Sequence, residues 1–274
     1  MSDYNNKSCV IAGYAIDCAD SLPYSLTNII QMTPLFEKFD VIIAYDESTD
    51  NTFELINKFK GNRDDVHLIL NTNRLSPLKN INNANAKNSI MQLINMKFKD
   101  YDYFILLDLD SYGKSQLNIS LLNQFIKRDK DWDIISFNRN NNNDMWALRY
   151  NPYFMNPFAW GENYKDVIEH TKKDIQNKLS KLTVDQYLEV ASSFNGIAIH
   201  KMKYILDCKF DGKHDAELLK KFDIVYNCYI FVKKEFKFQT NYYHESEYVN
   251  FYYDAKFKNP EIKIAMSPVN IFIE

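Results

Sequence analysis

The stretch Tyr103-Phe-Ile-Leu-Leu-Asp-Leu-Asp110 decides the fold of this chain. Its first five residues are all apolar, which is typical of a strand buried on both faces of a parallel sheet. Asp108 and Asp110 follow directly, and they point the same way because side chains alternate along an extended segment. Two carboxylates that lie close together repel each other unless a cation sits between them. Their hard oxygen ligands suit Mg²⁺ or Mn²⁺, which could bridge a diphosphate, whereas two solvated acids at a strand end remain the alternative.

Short apolar runs before and after this stretch extend the pattern. Four of them are predicted strands, at 9–15, 41–45, 66–70 and 133–137. The segments between them are predicted helices, at 24–39, from a cap at Thr49 or Asp50, around 86–94 and at 115–127. This alternation predicts an α/β fold with a mostly parallel central sheet and helices on both faces. Ligands bind beyond the carboxyl ends of the strands in such sheets, so the residues after each strand are the first candidates for a site.

The second half of the chain is less regular. The pattern predicts a polar loop at 138–144, a mostly exposed helix at 163–182, a strand at 194–200 and an aromatic-rich helix at 244–254. No internal repeat is visible, and no linker rich in Pro, Gly or Ser separates the two halves. A length of 274 residues fits one large α/β domain. We therefore expect a single domain whose second half completes the site.

The composition excludes several classes of protein. With 46% hydrophobic and 25% charged residues, the chain is globular rather than disordered. Its 33 basic and 36 acidic residues give a net charge of −3, so it lacks the basic excess of a non-specific nucleic-acid binder. No glycine-rich phosphate loop occurs, which disfavours Rossmann dinucleotide and P-loop sites. Asparagine is abundant, and we attribute this bias to an AT-rich genome rather than to function.

The cysteines and the apolar runs bear on location. The four cysteines have no CxxC spacing, so free thiols in a reducing compartment are expected rather than a zinc site. They are Cys9, Cys18, Cys208 and Cys228. No run approaches 18 apolar residues, and the first residues lack the features of a signal peptide. We expect a cytoplasmic protein without a membrane span.

A second acidic segment follows the second predicted strand: Asp46-Glu-Ser-Thr-Asp-Asn-Thr52. It could be only a turn and a helix cap, because Ser, Thr, Asp and Asn side chains bond nearby backbone groups. As a binding loop, it would use Asp46 or Glu47 to accept hydrogen bonds from a base or a ribose. Taken alone, the segment leaves both interpretations open.

Together the two acidic segments resemble the nucleotide-sugar half of GT-A-fold glycosyltransferases. Between them, Asn73-Arg74 and the run 82–88 resemble the family's segment in which a basic residue approaches the nucleotide, with Lys87-Asn88 where the family has Arg-Asn. Three later segments are similar to capsule-associated mannosyltransferase-like enzymes and to glycosyltransferases of large DNA viruses. They are Asp144-Met-Trp-Ala-Leu-Arg149, Phe194-Asn-Gly-Ile-Ala-Ile199 and Ser246-Glu-Tyr-Val249, the last with tyrosine in place of histidine.

The resemblance implies a single GT-A domain over residues 1–274, in which 1–137 bind the nucleotide-sugar and 138–274 the acceptor. In that picture Asp46 contacts the base and Asp108 the ribose or donor sugar. The residues implied for nucleotide-sugar binding are Asp46, Glu47, Arg74, Lys87 and Asp108. Those implied for Mn²⁺ or Mg²⁺ are Asp108, Asp110 and His244. The metal would neutralise the diphosphate leaving group.

The acceptor side follows from the later segments. Trp146 suits stacking on the apolar face of a sugar, and Arg149 could fix an acceptor or a phosphate. An inverting transfer needs a carboxylate base that takes the proton of the acceptor hydroxyl. Glu247 is the first candidate for this base, with Glu245 and Asp144 behind it, and the stereochemistry of the transfer stays open.

The predicted function is transfer of a hexose-type sugar from a UDP- or GDP-sugar to a glycan or glycoprotein, without nucleic acid or a membrane span. For a viral source the compartment would be the cytoplasm of the infected host cell. One alternative is a catalytically silent sugar-binding or scaffold protein with the same fold. Another is a HAD-like phosphatase, which normally opens with its DxD strand, whereas three predicted strands precede Asp108 here.

Overall fold

The computed structural model describes residues 5–71, 76–110, 115–140, 143–151, 153, 156, 164–213 and 244–273. The described helices are α1 (Leu22–Met32), α2 (Thr52–Lys60), α3 (Lys79–Leu93), α4 (Ile119–Lys127), α5 (Tyr164–Leu179) and α6 (Glu247–Lys258). The described strands are β1 (Asn5–Ala15), β2 (Phe36–Asp46), β3 (Val66–Asn71), β4 (Tyr103–Leu107), β5 (Gln116–Leu117), β6 (Ile134–Asn138), β7 (Leu188–Glu189), β8 (Ile197–Lys201), β9 (Ile264–Asn270) and β10 (Phe272–Ile273).

Eight of these strands form one sheet in the order β3-β2-β1-β4-β8-β6-β9-β7. The first half of the chain supplies the parallel pairs β2/β3, β1/β2 and β1/β4, as the alternation of strands and helices predicts. The pair β6/β9 is also parallel. Strand β8 runs antiparallel between β4 and β6, and β7 runs antiparallel to β9. The sheet is therefore parallel in the first half and mixed in the described second half.

Helices cover both faces of the sheet, because the central strands alternate their apolar side chains between two cores. One core packs α3, α5 and α6 against the sheet, with Ile90, Ile175 and Phe251 buried. The other core packs α1, α2 and α4, with Ile29 and Phe125 buried. The prediction of helices on both faces is confirmed.

The first helix is shorter than the predicted 24–39. Helix α1 ends at Met32, a single 3₁₀ turn follows, and β2 begins at Phe36. Pro34 explains the difference, since it has no N–H to donate to the carbonyl of Ile30 and so cannot continue an α-helix. The hydrophobic pattern does not register this break, because apolar residues continue on both sides of it.

The predicted helix 115–127 also starts later. The side chain of Asn118 accepts a hydrogen bond from the backbone N–H of Leu121 at 3.0 Å, which caps α4 and makes Ile119 its first residue. The two residues before the cap form β5, which pairs antiparallel with β10. A local cap therefore overrides the helical periodicity of the preceding residues.

Two further expectations concern thiols and membranes. Cys9, Cys18 and Cys208 are buried free thiols, as predicted, and Cys228 lies outside the described residues. Within the described ranges, none of the helices combines the length and the apolar character that a membrane crossing requires.

Candidate active site

A cleft of about 740 Å³ opens at the carboxyl ends of the parallel strands. Its walls are the loop after β1, the first turns of α3 and the residues that follow β4. Side chains that line it include Asp20, Ser21, Lys79, Asn82, Lys87, Asp108 and Asp110. The expectation that polar residues after the strands gather at this edge of the sheet is therefore met for the strands β1 and β4.

Gly13 and Gly196 fix the strand end that carries the acidic pair. A Cβ at Gly13 would lie 2.6 Å from both the carbonyl oxygen of Leu107 and Cγ of Leu109, so a side chain does not fit there. The backbone N–H of Asp108 donates to the carbonyl of Gly196 at 2.8 Å, which extends the β4/β8 pairing by one residue. The backbone at the acidic pair is thus held from both neighbouring strands.

Asp108 and Asp110 both face the cleft and are half-buried. Burial and the charge of Asp110 raise the pKa of Asp108 to about 7, although Lys87 partly opposes them. The hydroxyl of Tyr248 donates to Oδ1 of Asp108 at 3.3 Å. Two carboxylates therefore lie close together in this part of the cleft, an arrangement that a bound cation would stabilise.

The donor set suits Mg²⁺ or Mn²⁺. These ions are often held by one or two carboxylates together with substrate phosphates and waters, which Asp108 and Asp110 can provide for. Across the described residues, no group of three or more His, Cys, Asp or Glu side chains could hold a metal ion. His244 is therefore not brought to the acidic pair as a third protein ligand, in contrast to the predicted ligand set.

Lys87 projects from α3 towards the acidic pair. Its side chain is almost fully buried, and Nζ donates to Oε1 of Glu247 at 2.6 Å. The ammonium also lies 4.2 Å from the ring centre of Tyr248, a cation–π distance. Lys87 thus lines the cleft while its charge is shared between Glu247 and the acidic pair. Arg74 lies outside the described residues.

Asp46 ends β2 and is almost fully buried. The hydroxyl of Tyr14 donates to its Oδ2 at 3.2 Å, and the N–H of Glu47 donates to its Oδ1 at 3.0 Å. Glu47 itself is exposed. Tyr14 lines the cleft and Asp46 lies directly behind it, so both are at the side of the cleft next to β2.

The rest of the segment after β2 is bonded to the loop after β1. Oδ1 of Asp17 accepts from the N–H of Thr49 at 2.6 Å, and Oδ2 of Asp50 accepts from the N–H of Ala19 at 2.9 Å. Although burial opposes it, the hydrogen bonds from Thr52 and Ala19 hold the pKa of Asp50 below its usual value. Helix α2 begins at Thr52, so this part of the segment serves as turn and helix start.

Asp144 and Trp146 lie on the segment that leads from β6 towards the second half of the site. Both are half-buried, and the N–H of Trp146 donates to Oδ1 of Asp144 at 2.8 Å. The N–H of Asp144 donates to the side chain of Asn195 at 2.8 Å, which ties the segment to the residues before β8. Burial and the charge of Glu247 raise the pKa of Asp144 to about 6.

Arg149 is fully buried, which does not fit the predicted acceptor-binding role. Its Nη2 donates to Oε1 of Glu245 at 2.6 Å, and its Nη1 donates to the carbonyl of Leu148 at 2.7 Å. A guanidinium that bonds inside the protein in this way is withheld from a ligand in solvent. Spacing within the motif could not reveal this, because the partner of Arg149 lies 96 residues further along the chain.

The two glutamates at the start of α6 have different surroundings. Glu247 is paired with Lys87 and so faces the cleft side, and its charge contributes to the raised pKa of Asp108. Glu245 is buried against Arg149 with 3% of its side chain exposed. The structure thus brings Glu247 and Asp144 near the acidic pair and places Glu245 behind them.

Tyr248 is a site residue that the sequence reasoning did not select. Its ring stacks on that of Phe194 with centres 4.0 Å apart, and the ammonium of Lys87 also lies over the Tyr248 ring. Its hydroxyl donates to Asp108. Tyr248 occupies the position at which the similar family has histidine. This difference was the feature of the sequence that could have drawn attention to it. The contact with Asp108 spans 140 residues of sequence, so no local pattern encodes it.

Comparison with known proteins gives partial matches. No family model matches the chain. The poly-β-1,6-N-acetyl-D-glucosamine synthase of Staphylococcus aureus strain MSSA476 is 36% identical over 93 residues, which are 34% of this chain and 19% of the synthase. The synthase of strain COL is 34% identical over 93 residues, which are again 34% of this chain and 19% of the synthase. This chain therefore matches less than a fifth of the length of these curated relatives.

Solved structures also match the chain, at low sequence identity and with TM-scores below 0.5. The match to S. aureus TarS covers 97% of this chain and 36% of the TarS chain, with a TM-score of 0.49 and 12% identity. The mannosyltransferase PcManGT from Pyrobaculum calidifontis, in complex with GDP-Man and Mn²⁺, covers 80% of this chain and 47% of its own, with a TM-score of 0.41 and 14% identity. The sequence match to the synthase supports a transferase enzyme, and the resemblance to capsule-associated and viral enzymes stays a prediction.

Proposed function

We propose that this chain is a metal-dependent glycosyltransferase that moves a sugar from a UDP- or GDP-sugar to a hydroxyl group of a glycan or glycoprotein. The observation that carries the proposal is the pair Asp108 and Asp110, which face a 740 Å³ cleft beside Lys87 at the carboxyl ends of the parallel strands. Such an edge is the usual ligand site of α/β sheets. The sequence match to a polysaccharide synthase agrees with this chemistry.

The donor would lie along the cleft with its diphosphate at the acidic pair. The base would lie at the side of the cleft next to β2, where Tyr14 lines the wall and holds the buried carboxylate of Asp46. Asp108 and Asp110 would hold Mn²⁺ or Mg²⁺, and when bound such an ion neutralises charge on the leaving diphosphate. Lys87 adds a buried positive charge at the same place, where low solvent exposure strengthens its effect.

For the base we place Asp144 first and Glu247 second. Asp144 is half-buried rather than enclosed, and a pKa of about 6 suits a base that works near neutral pH. Glu247 is bonded to Lys87 at 2.6 Å, so its Oε1 already accepts a hydrogen bond from within the protein. Trp146, two residues from Asp144, would stack on the acceptor sugar and bring a hydroxyl within reach of that carboxylate.

The single-domain organisation is part of the proposal. Strand β8 from the second half lies between β4 and β6, so both halves contribute to one sheet. Helix α6 brings Tyr248 to Asp108, and the second half thus contributes to the donor side as well as to the acceptor side.

Thermal melting with nucleotides tests the donor site. The protein is melted with UDP, GDP or CMP, each with Mn²⁺ and with EDTA. A ligand at 100 times its Kd adds about 2.7 kcal/mol of stability, which corresponds to a Tm rise of about 5–10 °C for a chain of this size. We expect such a rise with UDP or GDP in Mn²⁺ only. The absence of a rise with every nucleotide, in a folded sample, would contradict the proposal.

Turnover separates an enzyme from a silent sugar-binding protein. UDP-GlcNAc and GDP-mannose are each incubated with the protein, Mn²⁺ and a panel of glycan acceptors, and release of UDP or GDP is followed. We expect release with one donor class, and its loss in Asp110→Asn. Metal-dependent nucleotide binding without turnover of any donor would favour the silent scaffold instead.

A further inference from the structure

Two glutamates separated by one residue at the start of α6 point to different places. Glu247 bonds Lys87 beside the cleft, whereas Glu245 points into the interior and bonds Arg149. The ion pair of Arg149 and Glu245, here called the positioning pair, has 0% and 3% of its side chains exposed. It therefore cannot contact a substrate directly, and its effect on the site has to pass through other residues.

Glu245 is fixed through both its side chain and its backbone. A single carboxylate oxygen, Oε1, accepts from Arg149 at 2.6 Å, from the N–H of Ser246 at 2.9 Å and from the side chain of Asn156 at 3.1 Å. Its carbonyl accepts from the side chain of Asn80 at 3.0 Å, and its N–H donates to the carbonyl of Gly212 at 3.1 Å. Glu245, the residue before the N-cap of α6, is thus held by five other residues of the chain.

Arg149 is anchored on the other side of the site. Its N–H donates to the carbonyl of Ser192 at 2.8 Å, and its carbonyl accepts from Ala191 at 2.7 Å, next to the residues that lead into β8. It also ends the segment that carries Asp144 and Trp146. The positioning pair therefore joins the segment of Asp144 to the first turn of α6.

The contacts of that first turn show what the connection controls. Glu247 and Tyr248 are the first two residues of α6, and they reach Lys87 and Asp108 at 2.6 Å and 3.3 Å. A rotation of the helix start by a fraction of a turn would break both contacts. Ser246, the N-cap residue, has no side-chain hydrogen bond to the helix, so the cap itself does not fix this rotation.

We infer that Arg149 and Glu245 are positioning residues, which fix the first turn of α6 so that Glu247 and Tyr248 meet Lys87 and Asp108. The inference rests on the proposed function for its kinetic consequence, whereas its structural consequence is independent of any activity. Since misplacement of a catalytic group by about 1 Å can cost about 100-fold in rate, the kinetic effect is expected to be large.

The first test follows the exposure of Lys87, which needs no substrate. Wild type and Glu245→Ala are acylated with an N-hydroxysuccinimide ester of acetic acid, and each lysine is quantified by peptide mass spectrometry. Loss of the positioning pair should loosen the helix start and raise the labelling rate of Lys87 about tenfold. A folded Glu245→Ala protein with Lys87 labelled at the wild-type rate would overturn the inference.

Asp133→Asn is the matched control. Asp133 accepts from Lys201 at 2.9 Å in another poorly exposed ion pair, which lies at the opposite ends of β6 and β8 from the cleft. We expect this variant to raise the labelling of Lys201 and to leave Lys87 at the wild-type rate. Raised labelling of Lys87 in this variant as well would attribute the effect to general destabilisation and overturn the inference.

The second test is kinetic and uses Glu245→Gln beside Glu245→Ala. An amide oxygen can still accept from Ser246 and Arg149, so the glutamine variant keeps the geometry and serves where the alanine variant does not fold. We expect kcat to fall about 100-fold in Glu245→Ala with the donor KM almost unchanged, and the glutamine variant to recover most of kcat. A purely structural role would lower Tm and leave kcat unchanged well below Tm.

The two tests fail separately. If wild type turns over no nucleotide-sugar but Glu245→Ala exposes Lys87, the proposed function is wrong and the positioning role stands. If wild type is active and folded Glu245→Ala changes neither kcat nor Lys87 labelling, the positioning role is wrong and the proposed function stands. The same holds if folded Glu245→Gln loses about 100-fold in kcat while Lys87 stays at the wild-type labelling rate, because that variant keeps the geometry.

Discussion

The sheet edge at Asp108 and the first turn of α6 contribute to the same site, yet their carboxylates have different electrostatic surroundings. At the sheet edge, burial and a second carboxylate raise the pKa of Asp108 to about 7. At the helix, Glu247 and Glu245 are each paired with a buried cation at 2.6 Å. Two neighbouring carboxylates are thus concentrated at the strand end, where a bound metal ion would balance their charge.

This difference separates the carboxylates proposed to bind a metal ion from the carboxylates that are already paired with a buried cation of the protein. Two adjacent like charges in a partly buried place are unfavourable without a cation, so the sheet edge gains from ligand binding. In a buried ion pair each charge already has a partner of opposite sign, and removing one partner is costly. Acidic residues in similar motifs therefore have different uses, and four experiments test how the two regions differ.

The largest effect is expected at the sheet edge. Asp110→Asn removes one of the two proposed metal ligands, and we expect donor turnover to fall about 10⁴-fold, because metal stabilisation of a leaving group is worth several kcal/mol. The metal-dependent rise in Tm with UDP or GDP should also disappear. Asp64→Asn, an exposed acid outside the cleft, is the control and should keep both. Full turnover in Asp110→Asn would refute the metal site at this edge.

The next effect concerns the base. Asp144→Asn should lower kcat about 10³-fold, within the range for loss of a general base, and Glu247→Gln should have a smaller effect. Because the base acts when deprotonated, wild-type kcat/KM should fall as pH drops through about 6, the pKa of Asp144. The reverse order of the two variants would assign the base to Glu247 and place the chemistry on the helix side.

A third experiment examines the core beneath α6. His200 is fully buried, donates from Nδ1 to the carbonyl of Phe104 and accepts from the hydroxyl of Tyr252, and burial lowers its pKa to about 4. Between pH 6.5 and 4 the unfolded chain binds a proton that the folded protein does not, so stability should decline by about 3 kcal/mol as pH falls through this window.

The measurement is urea unfolding of wild type and His200→Gln across that pH range. The variant lacks the titrating group, so its free energy of unfolding should fall less steeply with decreasing pH. Parallel pH profiles would show that another group causes the decline. Unchanged turnover in a folded His200→Gln protein would show that this core supports α6 without setting the chemistry.

The smallest effect is expected for the contact that joins the two regions. Tyr248→Phe removes the hydrogen bond to Asp108 but keeps the stacking on Phe194. A hydrogen bond of this kind is worth about 1 kcal/mol, so we expect about a fivefold loss in kcat/KM. Tyr150→Phe, which removes a buried hydroxyl that bonds Asp174 at 3.0 Å, should lower Tm and leave turnover unchanged. Equal turnover losses in both variants would contradict a specific role for Tyr248.

Asparagine usage shows a limit of compositional reasoning. We attributed the abundance to codon bias, but several asparagines make specific bonds to the backbone. The side chain of Asn88 bonds both the N–H and the carbonyl of Phe210, and Asn250 donates to the carbonyls of Asp211 and Lys213. With Asn80 on Gly212, these bonds hold the segment 210–213 between α3 and α6. Composition cannot indicate this, because each bond joins residues far apart in sequence.

The sequence by itself determined six of the described strands, the two covered faces of the sheet and the place of Asp108 and Asp110 at a strand end, because these depend on local apolar periodicity and on alternation along an extended chain. It did not predict β7 and β9, which also belong to the sheet. It did not determine which acids are free to act. Glu245, Glu247 and Asp144 look alike in sequence, and only the folded chain gives the first two buried cations 96 and 160 residues away. Desolvation and charge pairing act through space, so the tertiary structure alone decides which carboxylates remain for a ligand.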